Sequence, residues 1–246
     1  MIIDNPAQRD IPGLRALWKQ AFLDTDDFLD SFFSLAFSPE RALVAKEGAQ
    51  ILGALYWFDC LCGEKRFAYI YAVATEKDHQ GKGVCTALMK EAHERLGKEG
   101  KGTLLVPADN RLRAFYNRLG YRDFGGMEET TCFAGENAVP VEKLTAKTYA
   151  QRRRVLLPKN GVLQEGAFLP FLDANMRFYG GEDWLLAIGE GYAPEFLGDK
   201  ALLPGILKTL QIPKAQVRCS GDTPFAMWRC EKEDFTTPGY FAFALD

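Results

Sequence analysis

Residues 69–86 read YIYAVATEKDHQGKGVCT, and the fold is decided there. Residues 67–74 are rich in aromatic and β-branched types and read as a strand. From Val84 onward Cys85, Leu88, Met89, Ala92 and Leu96 recur at three- and four-residue steps, while Lys90, Glu91, Glu94, Arg95 and Lys98 take the other side. That is an amphipathic helix, closed by Gly97 and Gly100. Gly81 and Gly83 lie between strand and helix, where a missing Cβ lets backbone approach a ligand. A strand that feeds a glycine loop and then a helix aims unpaired N–H groups and the positive end of a helix dipole at one point. An anion fits that point, and a diphosphate fits it well.

Two common phosphate loops are missing. The chain has no GxxxxGK[ST], and GKGVCT ends in threonine where a dinucleotide fingerprint needs glycine. The run Gln80-Gly81-Lys82-Gly83-Val84-Cys85 instead resembles the Q/R-x-x-G-x-G/A loop of the GCN5-related N-acetyltransferases (GNAT), with Cys85 where that family usually carries Gly or Ala. The preceding Val73-Ala74-Thr75 is similar to the family's strand whose backbone pairs with the pantetheine arm. Asn110-Arg-Leu-Arg-Ala-Phe-Tyr116-Asn-Arg-Leu-Gly120-Tyr121 is similar to its N-x-x-A-x-x-F-Y-x-x-x-G-F/Y segment, on a helix that Asp109 or Asn110 can cap. The resemblance spans roughly residues 1–135. It implies acetyl-CoA as co-substrate, held by Val73, Ala74, Thr75, Gln80, Gly81, Lys82, Gly83, Val84, Cys85, Thr86 and Asn110. It implies Tyr116 as the acid that protonates the departing thiolate. Read from the residues alone, Leu112, Phe115 and Leu119 face the core and Tyr116 sits at the edge of that stripe.

The remaining elements follow from pattern. Residues 2–4 form a first strand. Asp10 opens a helix buried through Leu14, Leu17, Trp18 and Ala21, and a second helix buries Phe28, Leu29, Phe32, Phe33 and Ala36. Strands follow at 41–46, 51–61, 67–74 and 102–108, with another at 127–134. The fold class is α/β: a mixed GNAT-type central sheet with helices on both faces. Residues 1–135 make this domain. Residues 136–246 make a second, smaller α/β domain, a degenerate half of the same fold without a CoA loop. Helices are expected there at 144–157, 168–176 and 200–210, and strands at 183–189, 192–196, 216–219, 225–230 and 240–245. Arg152, Arg153 and Arg154 read as a solvated helix face.

Composition excludes several classes. The 246 residues carry a formal charge of −3, with no basic excess that would favour nucleic acid. No apolar run is long enough to span a bilayer and the start resembles no signal peptide, so no membrane partner and a cytoplasmic location are expected. The six cysteines form no CxxC pair and only His79 and His93 supply imidazole, so no metal site is expected.

The function expected is transfer of an acetyl group from acetyl-CoA to a primary amine of a small molecule or peptide. Each acid or base contributes about 10²–10⁴ in rate. The base is open between Asp59, the terminal carboxylate of Asp246, and water relay from an already neutral amine. Two other classes are a non-catalytic acyl-CoA sensor and an aminoacyl transferase charged from tRNA. The acidic charge weighs against the latter.

Overall fold

A computed structural model describes residues 1–231 and 237–243. The first half runs β1 (Ile2–Asp4), α1 (Ile11–Phe22), α2 (Asp26–Ser31), β2 (Ala42–Glu47), β3 (Gln50–Cys62), β4 (Lys65–Thr75), α3 (Val84–Lys98), β5 (Gly102–Leu105), α4 (Asn110–Arg118) and β6 (Arg122–Phe133). The second runs β7 (Glu142–Leu144), α5 (Ala146–Leu156), β8 (Val162–Gln164), α6 (Phe168–Asn175), β9 (Arg177–Gly180), β10 (Leu185–Ile188), β11 (Tyr192–Leu197), α7 (Leu203–Thr209), β12 (Lys214–Ser220) and β13 (Thr223–Arg229). No helix among the described residues is long and apolar enough to cross a membrane.

Among the described residues one mixed sheet takes in every strand, in the order β1-β2-β3-β4-β5-β13-β6-β12-β11-β10-β9-β7, with β8 on the far end of β3. Read from its two ends, the sheet repeats itself. β1 to β4 pair antiparallel, and β5 lies parallel to β4 after the α3 crossover. β7, β9, β10 and β11 likewise pair antiparallel, and β12 lies parallel to β11 after α7. The halves exchange their last strands. β13 lies against β5, and β6 lies against β12. Hydrogen bonding therefore continues across the sequence boundary at 135/136.

The two faces bury separate cores. Leu14, Leu17 and Trp18 of α1, Leu29 of α2 and Phe168 and Phe171 of α6 pack on one face. Val84, Leu88, Met89, Ala92 and Leu96 of α3 pack on the other with Tyr116 and Tyr121. Gly53 of β3 makes that second contact possible. A Cβ there would stand 2.9 Å from the Ala74 carbonyl oxygen and from Val84 Cγ1.

Several elements differ from the sequence expectation. Ala21 is exposed, since α1 turns its last turn to solvent. α2 continues as one π turn over Phe32–Ala36, which keeps Phe32 and Ala36 buried. α3 runs through Gly97 to Lys98. β5 stops at Leu105, before Pro107, a residue that cannot donate to a ladder. Tyr240 makes a single bridge to Gly161 and residues 241–243 form no strand, while residues 244–246 lie outside the described residues.

The arginine triplet is the largest correction. Arg152 pairs with Glu142 at 2.6 Å and Arg154 with Glu165, but Arg153 is 3 % exposed and grips the fully buried Glu195 through two arms, at 2.7 and 2.8 Å. Tyr149 donates to the same carboxylate at 2.7 Å, and Arg153 reaches the Val162 carbonyl at 3.0 Å. The guanidinium also covers the Phe243 ring at 4.8 Å. Such a pair is stable only while both charges are present. Arg153→Met is expected to lower unfolding stability by about 3–5 kcal/mol, read from urea midpoints. Arg153→Met combined with Glu195→Leu should recover much of that loss, because no charge is then left buried alone.

Candidate active site

The site begins where β4 leaves β5. The two strands pair only from Phe67↔Gly102 to Tyr69↔Leu104. Beyond that pair β5 ends, and β4 carries a bulge, its register against β3 slipping between Ala54↔Ala74 and Tyr56↔Tyr71. Ala72 takes φ 48° within the bulge, a left-handed conformation that costs a residue with a side chain. The parted strands leave a notch in the sheet. In the second half β11 and β12 hold their pairing, with one bulge, as far as Phe196↔Cys219, and no comparable parting occurs.

A cavity of about 230 Å³ fills the notch. Ile70, Tyr71, Ala72 and Val73 of β4 form one wall, and Leu105, Val106 and Ala108 the other. Trp18, Phe22 and Asp24 close it from the α1 side, and Leu112 and Tyr116 from α4. It is thus lined by residues from both faces of the sheet.

The loop beyond β4 is held firmly. The Glu76 carboxylate accepts from the Asp78 N–H at 3.0 Å and meets His79 Nδ1 at 2.6 Å; that histidine contact holds its carboxyl below the usual range. Gln80 Nε2 donates to the Thr75 carbonyl at 3.3 Å. Gly81 and Gly83 take φ 75° and 84°, the left-handed region that glycine enters without strain. Gly83 is the N-cap of α3 and makes no side-chain cap, so the first N–H groups of a 15-residue helix are left for a ligand. Lys82 is exposed beside them, Val84 is buried and Thr86 half-buried. Cys85 packs against the core beneath α3, and burial pushes its thiol up to about 11. The residue that departs from the loop pattern therefore turns inward as a neutral thiol.

Tyr116 is 6 % exposed, deeper than the edge position expected, while Leu112 is exposed at the cavity and Phe115 and Leu119 are half-buried. The buried side of α4 is rotated relative to the expected stripe. Asp109 caps α4, accepting from the Leu112 N–H at 2.7 Å, and Asn110 is the exposed first residue of that helix. Arg113 fixes α4 to the second half of the chain. It donates to the carbonyls of Pro224 at 3.0 Å and Phe225 at 3.2 Å and pairs with Asp123. Tyr121 packs on Tyr116 with ring centroids 5.7 Å apart, and its hydroxyl lies 2.9 Å from His93 Nε2.

The expected carboxylates fare differently. Asp59 does not line this cavity. It is paired with Lys101 at 2.6 Å, just beyond the C-terminal end of α3, whereas the glycine loop lies at the N-terminal end. The helix alone separates the two ends by about 22 Å. Asp246 lies outside the described residues. A carboxylate that sequence reasoning missed does line the cavity: Asp24, just past the left-handed Leu23 that ends α1, accepts from Trp18 Nε1 at 2.7 Å. The signal available in the sequence was an acid placed directly after a helix whose tryptophan lies six residues earlier.

The acetyltransferase (GNAT) domain family matches residues 3–123. No curated protein matches the sequence. Among solved structures, a GCN5-related N-acetyltransferase from Kribbella flavida is similar at 17 % identity and a TM-score of 0.69, over 93 % of this chain and 70 % of that one. A Pyrococcus horikoshii protein assigned as an acetyltransferase is similar at 15 % identity and a TM-score of 0.67, over 98 % and 93 %. Eis1 from Mycobacterium abscessus is similar at 12 % identity and a TM-score of 0.62, over 91 % and 66 %. These likenesses extend across both halves of the sheet and describe its fold.

His93 gives the site a pH signature. Burial first, and then the nearby Arg229, lower its pKa to about 3. The unfolded chain takes up a proton near the ordinary histidine value of about 6.5, and the folded chain does not until about 3. Stability should therefore fall as pH falls through that window, by up to about 1.4 kcal/mol per pH unit from this group. Urea midpoints at pH 7.5 and pH 5 should converge in His93→Gln relative to the native chain; an unchanged separation would refute the assignment.

Proposed function

The chain belongs to the GNAT acetyltransferases through residues 3–123, and on that premise we propose that it moves an acetyl group from acetyl-CoA to a primary amine of a small molecule or peptide. The observation that carries this reading is that β4, beyond its last pair with β5, walls the notch that Tyr116 also lines and leads on into the glycine loop at the start of α3.

The N–H groups at Gly81 to Thr86 would hold the CoA diphosphate, with the α3 dipole adding to the attraction and Lys82 and Gln80 at the loop. The backbone of β4 from Val73 through Ala74 to Thr75 lies past its last pair with β5, so its edge can bond an amide-bearing arm in the manner of an added strand. The arm would bring the thioester to the bulge at Ala72, where a backbone N–H can polarise the carbonyl. Asn110, at the start of α4, would stand at the outer end of that path.

The acceptor nitrogen attacks the thioester carbon from the α1 side. As the C–N bond forms and the C–S bond breaks, Tyr116 donates its proton to the departing sulfur and regains one from solvent. Asp24 is the carboxylate within the cavity to which the amine can pass its own proton. Asp59 has no part in this reading. Residues 136–246 supply β13 and the anchor for α4 rather than a second donor site.

Tyr116→Phe is expected to slow CoA release by about 10²–10⁴ while leaving the acetyl-CoA dissociation constant within about twofold, since it removes one hydroxyl and keeps the ring. Release of CoA with an amine acceptor and titration calorimetry with acetyl-CoA read the two quantities. Turnover unchanged in the variant would remove Tyr116 from the mechanism, and absent acetyl-CoA binding in the native protein would remove the donor.

A further inference from the structure

The cavity in which the acceptor would meet the acetyl end of the donor has a definite chemical character. Its lining is apolar or aromatic except for the Tyr116 and Tyr71 phenols and one carboxylate, Asp24. Trp18 holds Asp24 Oδ2 at 2.7 Å, and among the described residues no partner engages the other oxygen. Trp18 is itself fixed by rings on several sides, with Phe32 at 4.6 Å, Tyr56 at 5.3 Å, Phe22 at 5.7 Å and Tyr71 at 5.8 Å. The carboxylate is thus oriented by a rigid aromatic cluster. At the mouth Phe22 is 42 % exposed, and Leu112 is also exposed.

Of the nearby acids outside the cavity lining, Asp27 is exposed on α2 and three others are engaged. Asp26 pairs with Lys19 at 2.5 Å, Asp30 with Arg15 at 2.7 Å and Glu76 with His79. A ligand with one ammonium can set it against Asp24 and lay its body on the apolar wall. A ligand with several ammonium groups would bring a second charge onto apolar surface with no counter-ion in the cavity lining. The same cavity, about 230 Å³, must also admit the acetyl end of the donor, which leaves room only for a narrow acceptor body.

On the acetyl-CoA reading above, we infer that the acceptor is a monocationic primary amine on an apolar or aromatic body, selected by the single carboxylate Asp24 and the Trp18–Phe22 wall, and not a polyamine. The test measures CoA release from acetyl-CoA with phenethylamine, hexylamine and spermidine, beside calorimetry with acetyl-CoA alone. Expected is kcat/KM for phenethylamine and hexylamine at least about tenfold above spermidine, a difference of about 1.4 kcal/mol. Asp24→Asn retains an oxygen for the Trp18 indole and should raise KM for phenethylamine at least about tenfold, with acetyl-CoA binding within about twofold. Phe22→Glu, on an exposed rim position, should shift preference toward spermidine. Spermidine preferred by the native protein, or KM unmoved in Asp24→Asn, overturns the inference. Acetyl-CoA binding with no turnover of any of the three amines overturns the acceptor class alone, while failure of acetyl-CoA to bind overturns the donor reading and the inference together.

Discussion

The parting of β4 from β5 beyond the Tyr69↔Leu104 pair is the constraint on which the site depends. A parallel pair normally continues until one strand ends, with both edges satisfied. Here β5 stops short of Pro107, while β4 runs on through a bulge with Ala72 in the left-handed region. The result is backbone edge without a neighbour in the middle of a sheet, next to a helix N-terminus without a cap. The backbone groups of that edge and of the exposed loop at Gly81 to Gly83 are thus left outside the ladders of the fold. On the proposed acetyl-CoA reading, they would bond the amides and the diphosphate of the donor.

The second half of the chain completes the first. β13 fills the place between β5 and β6, and Arg113 ties α4 to the carbonyls of Pro224 and Phe225. The segment around Tyr240 to Phe243 is fastened by Gln164 on the Phe243 carbonyl at 2.6 Å and by Arg218 on the Ala242 carbonyl at 2.9 Å. It carries Phe241 against Tyr69 with centroids 4.8 Å apart, under the strand that walls the notch. The topology of the first half recurs in the second, but β11 and β12 keep their pairing and α7 has only 7 residues. The second half thus repeats the strand order of the first without its opening.

Much of this was legible because it is local. The helical period of residues 84–98, the glycine loop and the Asp109 cap are encoded within a few residues of where they act. What escaped the sequence is long-range. β7, β8 and β9 have 3 or 4 residues each, too short for a period to emerge. Arg153 looks like its neighbours in a basic triplet, and only Glu195, far along the chain, makes it a core residue. The sequence offers Asp59 and passes over Asp24, because the β3–β4 register that sets Asp59 opposite Ala68 and the packing that brings Asp24 to the cavity are both long-range. The rotation of α4 likewise follows from the cavity beside it, which leaves Leu112 without a packing partner on one side.

The exchange of last strands also governs how the molecule can assemble. Residues 102–105 and 122–133 wait for residues 223–229 to come between them. Until that segment emerges from the ribosome, β5 presents an open edge at the centre of the future sheet, of the kind on which other chains can pair. Loop closure over about a hundred residues makes that late docking slow. The nascent first half therefore passes through a stage in which the edge of β5 is unpaired. The same exchange means that the two halves cannot be separated by a cut at the 135/136 boundary and still each keep a whole sheet.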